Sequence, residues 1–389
     1  MEDQIVIGIL GAGTMGRGIA QVAAQAGFEV LLVDVDEASL EDAKNFIDKM
    51  LLRQAEKGKL SQDSAREAIR AIQCSNNLSA FKNASMVIEA VVEDLGVKQQ
   101  CFKTLDKLLD PEMPLATNTS SLSVTEIASV CDYPDRVLGL HFFNPVPLMP
   151  LVEVVKGLQT SDAVIEFAFS VVSQWKKAPV VVADTPGFIV NRIARPFYSE
   201  ALRIYEEGLA GIHDIDLAMR SLDFRMGPFE LMDLIGNDVN LAVTTSVYEA
   251  TYHEPRYRPS RIQQQLVAAG HWGKKVGRGY YQYAEPETLA ETSISKEQVK
   301  MIGDRIVTML INEAAEAVYY KIASPQAIDT AVTKGVNYPK GLCAWGDEIG
   351  VQIVLNRMQA LHELYQEERY RPSVLLKKLA SEGKRLSDM

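Results

Sequence analysis

The first half of the chain alternates short apolar runs with longer segments in which apolar residues recur at helical spacing. Helical spacing is clearest over Glu37–Lys57 and Leu95–Leu109. Apolar strands separated by helices indicate a mostly parallel sheet that helices cover on both faces. Ligands bind such a sheet at the carboxyl ends of its strands. The predicted strands are Ile5–Leu10, Glu29–Asp34, Met86–Val92, Pro114–Thr117, Arg136–Phe143 and Pro179–Ala183.

The second half of the chain reads as helical. The pattern changes at Asp184-Thr185-Pro186-Gly187, where Thr185 is expected to cap a helix with Pro186 in its first turn. A polar stretch, 284–300, follows and is predicted to be a linker.

The last part of the chain repeats the first helical part. The run Arg256–Ser260 recurs 113 positions later as Arg369–Ser373. Several matches at one offset predict a duplicated helical unit. The same offset pairs Arg192 with Arg305, Glu200 with Glu313, and Asp216 with Asp329.

A glycine-rich turn follows the first predicted strand. Its sequence is Gly11-Ala12-Gly13-Thr14-Met15-Gly16, and the second strand ends in the acidic residue Asp34. A strand, a Gly-x-Gly-x-x-Gly turn, a helix and a strand with an acidic end form the dinucleotide-binding fingerprint. Asp34 can accept both hydroxyls of an adenine ribose and would repel a 2′-phosphate, so NAD is predicted rather than NADP. The alternative is a glycine-rich turn of an ordinary α/β protein.

These patterns together predict the domain organisation. We expect an α/β Rossmann-type NAD-binding domain at 1–184 and two all-α, duplicated helical domains. The first, at 185–283, is predicted to serve substrate binding or dimerisation, and the second, at 301–389, to be structural. The predicted linker 284–300 joins them.

Composition narrows the class of protein. The 389 residues carry a formal net charge of −11, which argues against a nucleic-acid surface. The four cysteines are scattered without a Cys-x-x-Cys pair, as expected for reduced thiols in a cytoplasmic protein. No histidines have metal-ligand spacing, and no signal peptide or membrane-spanning run is visible, so neither a metal nor a membrane partner is predicted.

One histidine and one glutamate interrupt apolar strands. His141 lies near the carboxyl end of a predicted sheet strand, where substrate would meet a nicotinamide, and a base for alcohol oxidation should titrate near neutral pH. Glu153 lies within Leu151–Val155, and a buried carboxylate needs a partner. His141 is the expected one. The alternative is a histidine bonded only within the core.

Polar residues follow another predicted strand. Asn118-Thr119-Ser120-Ser121 comes directly after Thr117. These residues could form a plain turn or helix cap, or a set of donors at the ligand-binding edge of the sheet.

Four longer motifs resemble one enzyme family. Leu140–Pro145, Asp184–Arg192, Met226–Asp233 and Gly273–Tyr281 are similar to segments of the L-3-hydroxyacyl-CoA dehydrogenase family. The resemblance covers residues 1 to about 283. The C-terminal repeat resembles a second copy of the family's helical domain.

The resemblance implies a reaction and its residues. An acyl-CoA thioester would be oxidised at its 3-hydroxyl by NAD, with His141 as general base and Glu153 holding and charging it. Ser120 would hydrogen-bond the substrate 3-oxygen, and Asn191 would bind substrate near the reacting centre.

It also implies the binding residues for the cofactor and for coenzyme A. Glu93, Lys98 and Asn118 would join Asp34 around NAD, and Lys57 stands where the family has a lysine that contacts the coenzyme. A solvated helix end is the alternative for Lys57. Acyl chain length is left open, with 3-hydroxybutyryl-CoA and 3-hydroxyadipyl-CoA both compatible.

Two other functions stay open at this point. The same fold could oxidise a free hydroxy acid, or the chain could be a non-catalytic nucleotide-binding protein. The repeat lacks the chemistry, because Asp304 stands at the position of Asn191. The resemblance implies that single-copy members of the family form dimers through the helical domain. The repeat is therefore expected to form an internal pseudo-dimer within a monomer; the alternatives are an interface in a homo-oligomer and an unusual acyl pocket.

Overall fold

The alternating pattern of the first part folds as one sheet with helices packed on it. The computed structural model describes residues 5–283 and 294–389, and the chain divides between Thr185 and Pro186 into two units. In the first unit the strands are β1 (Val6–Leu10), β2 (Glu29–Val33), β3 (Ile72–Ser75), β4 (Met86–Glu89), β5 (Leu115–Thr117), β6 (Val137–Phe142), β7 (Leu151–Lys156) and β8 (Ala178–Ala183).

The strand order places β1, with the glycine turn at its end, between β2 and β4. The order is β3-β2-β1-β4-β5-β6-β7-β8; β7 runs antiparallel to β6, and the remaining neighbours are parallel. The mostly parallel, Rossmann-type sheet is therefore confirmed. The helices of this unit are α1 (Thr14–Gln25), α2 (Glu37–Glu56), α3 (Gln62–Arg70), α4 (Leu95–Leu108), α5 (Val124–Ala128) and α6 (Asp162–Gln174).

The core of the first unit lies between the sheet and its helices. Ile9, Leu32 and Ile88 are fully buried on the central strands. The sequence pattern missed β3, whose central residues Gln73 and Cys74 are exposed. An edge strand with polar side chains carries no apolar run by which to recognise it.

The second unit is helical in its described residues. Its helices are α7 (Val190–Ile193), α8 (Arg195–Glu206), α9 (Ile212–Arg220), α10 (Pro228–Ile235), α11 (Asn237–Ala250), α12 (Arg261–Ala268), α13 (Lys296–Tyr319), α14 (Pro325–Gly335), α15 (Leu342–Ile349), α16 (Val351–Tyr365) and α17 (Val374–Glu382). None of the helices within 5–283 and 294–389 is both long and apolar enough to cross a membrane.

Two local predictions for this unit were wrong. Thr185 does not cap a helix; the chain turns at Gly187 and Phe188, which have positive φ, and α7 begins only at Val190. The end of the predicted linker is helical, since α13 begins at Lys296. Its first turn is polar and exposed, so it carries no apolar periodicity, but Ser295 and Gln298 form a capping box that starts it. Residues 284–293 of that linker lie outside the described residues.

Matched positions of the two repeats make matched contacts. Asp216 accepts hydrogen bonds from the backbone of Phe229 and Glu230 at the start of α10. Its counterpart Asp329 does the same at the start of α15. A Cβ on the glycine before either helix would lie 2.3 Å from the aspartate, so both turns require glycine.

The contacts between the repeats are reciprocal. Arg192 of the first repeat donates to Glu313 of the second at 3.1 Å, and Arg305 of the second donates to Glu200 of the first at 2.6 Å. The tyrosines follow the same exchange: the hydroxyl of Tyr257 donates to Glu313, and that of Tyr370 donates to Glu200. An exchange of equivalent partners is the pattern of a two-fold interface.

Replacing one of these buried glutamates should destabilise the helical unit strongly. Glu313→Gln leaves the buried Arg192 guanidinium without its counter-charge and removes one of the three carboxylates paired with Arg256, and we expect it to lower the free energy of unfolding by about 3–5 kcal/mol. Urea unfolding followed by circular dichroism measures this. The matched control Glu348→Gln removes an exposed pair with Lys340 and should change stability by less than about 1 kcal/mol. Equal changes in the free energy of unfolding for the two variants would contradict our assignment of Glu313 as a buried counter-charge.

Candidate active site

The glycine turn joins the end of β1 to α1. Gly11 has φ +107°, and a Cβ there would lie 2.6 Å from the carbonyl oxygen of Ala90; a Cβ on Gly16 would lie 1.8 Å from the carbonyl oxygen of Gly11. These two glycines are required by the fold itself. Gly13 differs, because a Cβ there would meet no protein atom within 4 Å. Gly13 therefore leaves open space in front of the turn.

The same turn presents groups that suit a dinucleotide. Gly13 is the N-cap of α1 and contributes no side-chain cap, and the first turn of α1 contains no acidic residue. Its backbone N–H groups and the positive end of the helix dipole therefore suit a pyrophosphate. Asp34 follows β2 and is fixed against the turn, since its carboxylate accepts the N–H of Ala12 at 2.7 Å. The residues present thus fit NAD.

His141 and Glu153 meet across two antiparallel strands. The register of β6 and β7 places the two residues directly opposite each other. Nδ1 of His141 lies 2.5 Å from a carboxylate oxygen of Glu153. Glu153 is fully buried, and His141 is 6% exposed. This contact fixes the orientation of the imidazole.

Glu93 gathers the loop that follows β5. One of its carboxylate oxygens accepts hydrogen bonds from the Thr119 hydroxyl at 2.7 Å and from the Ser120 N–H at 2.8 Å, and the hydroxyls of Ser120 and Ser121 lie 3.3 and 3.2 Å from it. Partial burial raises the pKa of Glu93, but these hydrogen bonds and the nearby Lys98 charge outweigh it, so the pKa lies below its usual value. Glu93 is therefore an anion that holds Ser120 in place.

Lys98 lies beneath this loop rather than at its surface. The side chain is fully buried; its Nζ is 2.7 Å from Glu89 and 3.4 Å from Glu93. The predicted contact between Lys98 and NAD is thus not accessible in this arrangement, and Lys98 instead positions Glu93. Sequence reasoning missed Glu89, which also accepts from Thr117. Its signal was a carboxylate within a predicted apolar strand, the same signal that singled out Glu153.

Asn118 links the strand ends around the histidine. Its side-chain oxygen accepts the N–H of Phe142 at 2.9 Å, which ties the end of β5 to β6 one residue beyond His141. The glycine turn, Glu93, Ser120 and His141 therefore all lie at one edge of the sheet, where its parallel strands end.

Two further predicted site residues belong to other elements of the chain. Lys57 is exposed at the C-terminal end of α2. Asn191 belongs to the second unit, in α7, where its carbonyl oxygen accepts from Arg195.

Comparison with known families matches both units of the chain. The model of the 3-hydroxyacyl-CoA dehydrogenase NAD-binding domain matches residues 6–185. The model of the C-terminal domain of 3-hydroxyacyl-CoA dehydrogenase matches residues 187–283 and 301–386.

Individual proteins agree with the family match. The chain is 38% identical to a 3-hydroxyadipyl-CoA dehydrogenase of Escherichia coli (strain K12), over 96% of this chain and 97% of that protein. It is 42% identical to a probable 3-hydroxybutyryl-CoA dehydrogenase of Bacillus subtilis (strain 168), over 71% of this chain and 96% of that protein.

A solved structure extends the likeness to the fold. The crystal structure of a 3-hydroxybutyryl-CoA dehydrogenase from Escherichia coli K12 superposes with a TM-score of 0.93 at 37% identity, covering 97% of this chain and 98% of that one. With both domain models matched and the dinucleotide fingerprint in place, the chain belongs to the 3-hydroxyacyl-CoA dehydrogenase family, whose members are NAD-dependent oxidoreductases acting on a CH–OH group.

Proposed function

We propose that His141 is the general base with which this dehydrogenase oxidises an L-3-hydroxyacyl-CoA to a 3-oxoacyl-CoA. The observation that carries the proposal is the 2.5 Å contact between His141 and the buried Glu153 at the ligand-binding edge of the sheet. Bound NAD supplies the hydride acceptor. The substrate loses its hydroxyl proton to His141 and the hydride from C3, and its C3–O bond becomes a carbonyl.

The proton step is assigned to Nε2 of His141. Nδ1 is bound to Glu153, so Nε2 is the ring nitrogen on the other side of the imidazole. The glutamate carboxylate balances the charge of the imidazolium that forms when His141 takes the proton. Because the glutamate is buried, it stabilises that charge without competition from water.

The loop held by Glu93 is assigned to the substrate oxygen. The Ser120 hydroxyl would donate to the 3-oxygen, and Glu93 keeps that residue in position through its backbone N–H. Asn191, from the second unit, is proposed as a further substrate contact. Such placement supplies catalysis by orienting the reacting atoms.

We assign the cofactor to the same edge of the sheet, on the side where the glycine turn lies. The turn Gly11–Gly16 would hold the pyrophosphate, Asp34 the adenine ribose, and Glu93 and Asn118 the nicotinamide half. Lys98 would act on the cofactor only through Glu93.

The coenzyme A moiety is assigned to the exposed end of α2. Lys57 stands there beside Arg53 and Lys59, where cations suit both the helix C-terminus and phosphates. The relatives named above act on 3-hydroxybutyryl-CoA and 3-hydroxyadipyl-CoA, so both acyl groups are candidate substrates. The four cysteines are free thiols, which supports our placement of the protein in the cytoplasm.

Replacing His141 should remove the chemistry without preventing NADH binding. His141→Ala should lower kcat for NADH oxidation with acetoacetyl-CoA by a factor on the order of 10²–10⁴, and Glu153→Gln should lower it less. The control His271→Ala, in the second unit, should keep wild-type kcat. Free acetoacetate should be a poor substrate. A folded, NADH-binding His141→Ala variant with wild-type kcat would overturn the assignment of the base.

Gly13 should matter for the cofactor and not for the fold. Gly13→Ala places a methyl group in open space at an ordinary φ of −65°, so the melting temperature should stay within about 2 °C of wild type. The Kd for NADH, measured by fluorescence titration, should rise at least tenfold. Gly16→Ala, by contrast, should destabilise the fold because its Cβ meets the Gly11 carbonyl. Unchanged NADH affinity in Gly13→Ala would contradict the position of the pyrophosphate.

We also propose that the second repeat replaces a partner subunit. The exchanged pairs Arg192–Glu313 and Arg305–Glu200 have the form of a two-fold dimer interface, and here both halves belong to one chain. The protein should therefore be a monomer of about 43.0 kDa in light scattering at micromolar concentration. A tight dimer that persists on dilution would overturn this proposal.

A further inference from the structure

A buried arginine of the first repeat has no counterpart in the second. In the first repeat, Arg195 is buried between α8 and α11, where its guanidinium donates to Thr244 at 2.9 Å and to the carbonyl oxygen of Asn191 at 2.9 Å. The second repeat has Thr308 at the equivalent position, 113 residues later. Within the described part of the chain, the buried Thr308 hydroxyl has no hydrogen-bond partner. The volume that an arginine side chain fills in one repeat is thus not filled by the residue at that position in the other.

The facing helix has changed as well. Gly236 and Gly350, which precede α11 and α16, have closely similar φ of +103° and +98°, and they align the two helices 114 positions apart. This alignment places apolar Val354 and Met358 where the first repeat has the polar partners of its arginine.

The chain that enters the helix also differs. In the first repeat, the turn at Gly187 packs against α11, so that a Cβ on Gly187 would lie 2.9 Å from Val247, and the next residue, Phe188, is buried. In the second repeat, α13 is continuous from Lys296, and Met301, at the position of Phe188, is 54% exposed. The groove that the turn covers in the first repeat is open in the second.

A cavity of about 620 Å³ occupies this groove. That volume lies within the range of small-molecule sites. The wall is mainly apolar, and the exposed side chains Leu209, Met301 and Leu364 contribute to it. Monomeric proteins seldom leave such side chains together at the surface without a use for them.

One cation at the cavity has an unused donor. Arg357 binds Asp304 through Nη2 at 3.1 Å, but among the described residues its buried Nη1 has no hydrogen-bond partner. Arg305 also lines the cavity, yet it is engaged by Glu200 and Glu207. A buried charged donor without an acceptor is costly, and a bound anion would remove that cost.

We propose that this cavity is a second binding site, separate from the dehydrogenase site, for a medium-chain aliphatic carboxylate. The alkyl chain would pack along the apolar wall, and the carboxylate would accept from Arg357 Nη1 and from the Thr308 hydroxyl. The mainly apolar wall favours an alkyl chain, and the unused Arg357 Nη1, which can only donate, selects an acceptor head group. The second repeat lacks the arginine and the turn that fill the groove in the first.

Binding of decanoate to the full chain tests the proposal. Isothermal titration should show one decanoate per chain, with decanol at least tenfold weaker because it lacks the anionic acceptor. Arg357→Gln should weaken decanoate tenfold to a hundredfold, the effect of removing one charged hydrogen bond. Ala360→Trp, which fills the cavity from α16, should abolish binding.

Matched variants separate this site from other surfaces. Gln359→Trp adds the same bulk at a neighbouring exposed position of α16, and Arg371→Gln removes an exposed arginine; both should bind decanoate like the wild type. All four variants should keep wild-type kcat with acetoacetyl-CoA. Absence of decanoate binding at millimolar concentration, or binding that Arg357→Gln and Ala360→Trp leave unchanged, would overturn the proposal. A dimer that Ala360→Trp dissociates would do so too, since a second copy would then occupy the cavity.

Discussion

The antiparallel pairing of β6 with β7 is the constraint on which the rest of the site depends. It is the one antiparallel pair in the described sheet, and it sets His141 directly opposite Glu153. A buried carboxylate is tolerated only with a partner, and a buried imidazole can carry a proton only beside an anion. Each residue thus lowers the free-energy cost of burying the other within an apolar sheet. The same pairing also delivers the histidine to the edge where the parallel strands end.

Two further carboxylates, the buried Glu89 and the exposed Glu93, organise the remaining site in the same way. Glu89 collects Lys98, Thr117 and the backbone of Val91, and Glu93 collects the loop that carries Ser120. Neither carboxylate is close to Glu153 in sequence, yet all three stand in or just after strands of one sheet. Positioning therefore comes from strand ends and from a loop that Glu93 holds by hydrogen bonds, which is what precise orientation of a hydride donor and a base requires.

The two repeats of the helical unit share some contacts and differ in others. One set of contacts between the repeats is preserved in both directions, as in Arg192–Glu313 and Arg305–Glu200, because losing either partner would leave a buried charge. Positions near the turn at Gly187, which leads into the first repeat, differ in the second. Thr308 stands where the first repeat has Arg195. The charged contacts between the repeats are thus matched in both directions, while the groove of the second repeat has a different lining.

The sequence by itself determined the local features. The glycine turn, α1 and Asp34 lie within one short strand–helix–strand unit, so their spacing alone predicts a dinucleotide site. The repeat was visible in the sequence because matching residues recur at equal offsets, and finding such matches requires no structure. Only the tertiary structure decided that Lys98 is buried, that Glu89 is its partner, and that the turn at Gly187 replaces a capped helix. Those outcomes depend on which side chains distant parts of the chain bring together and on how much water they exclude, and neither quantity is encoded in local pattern.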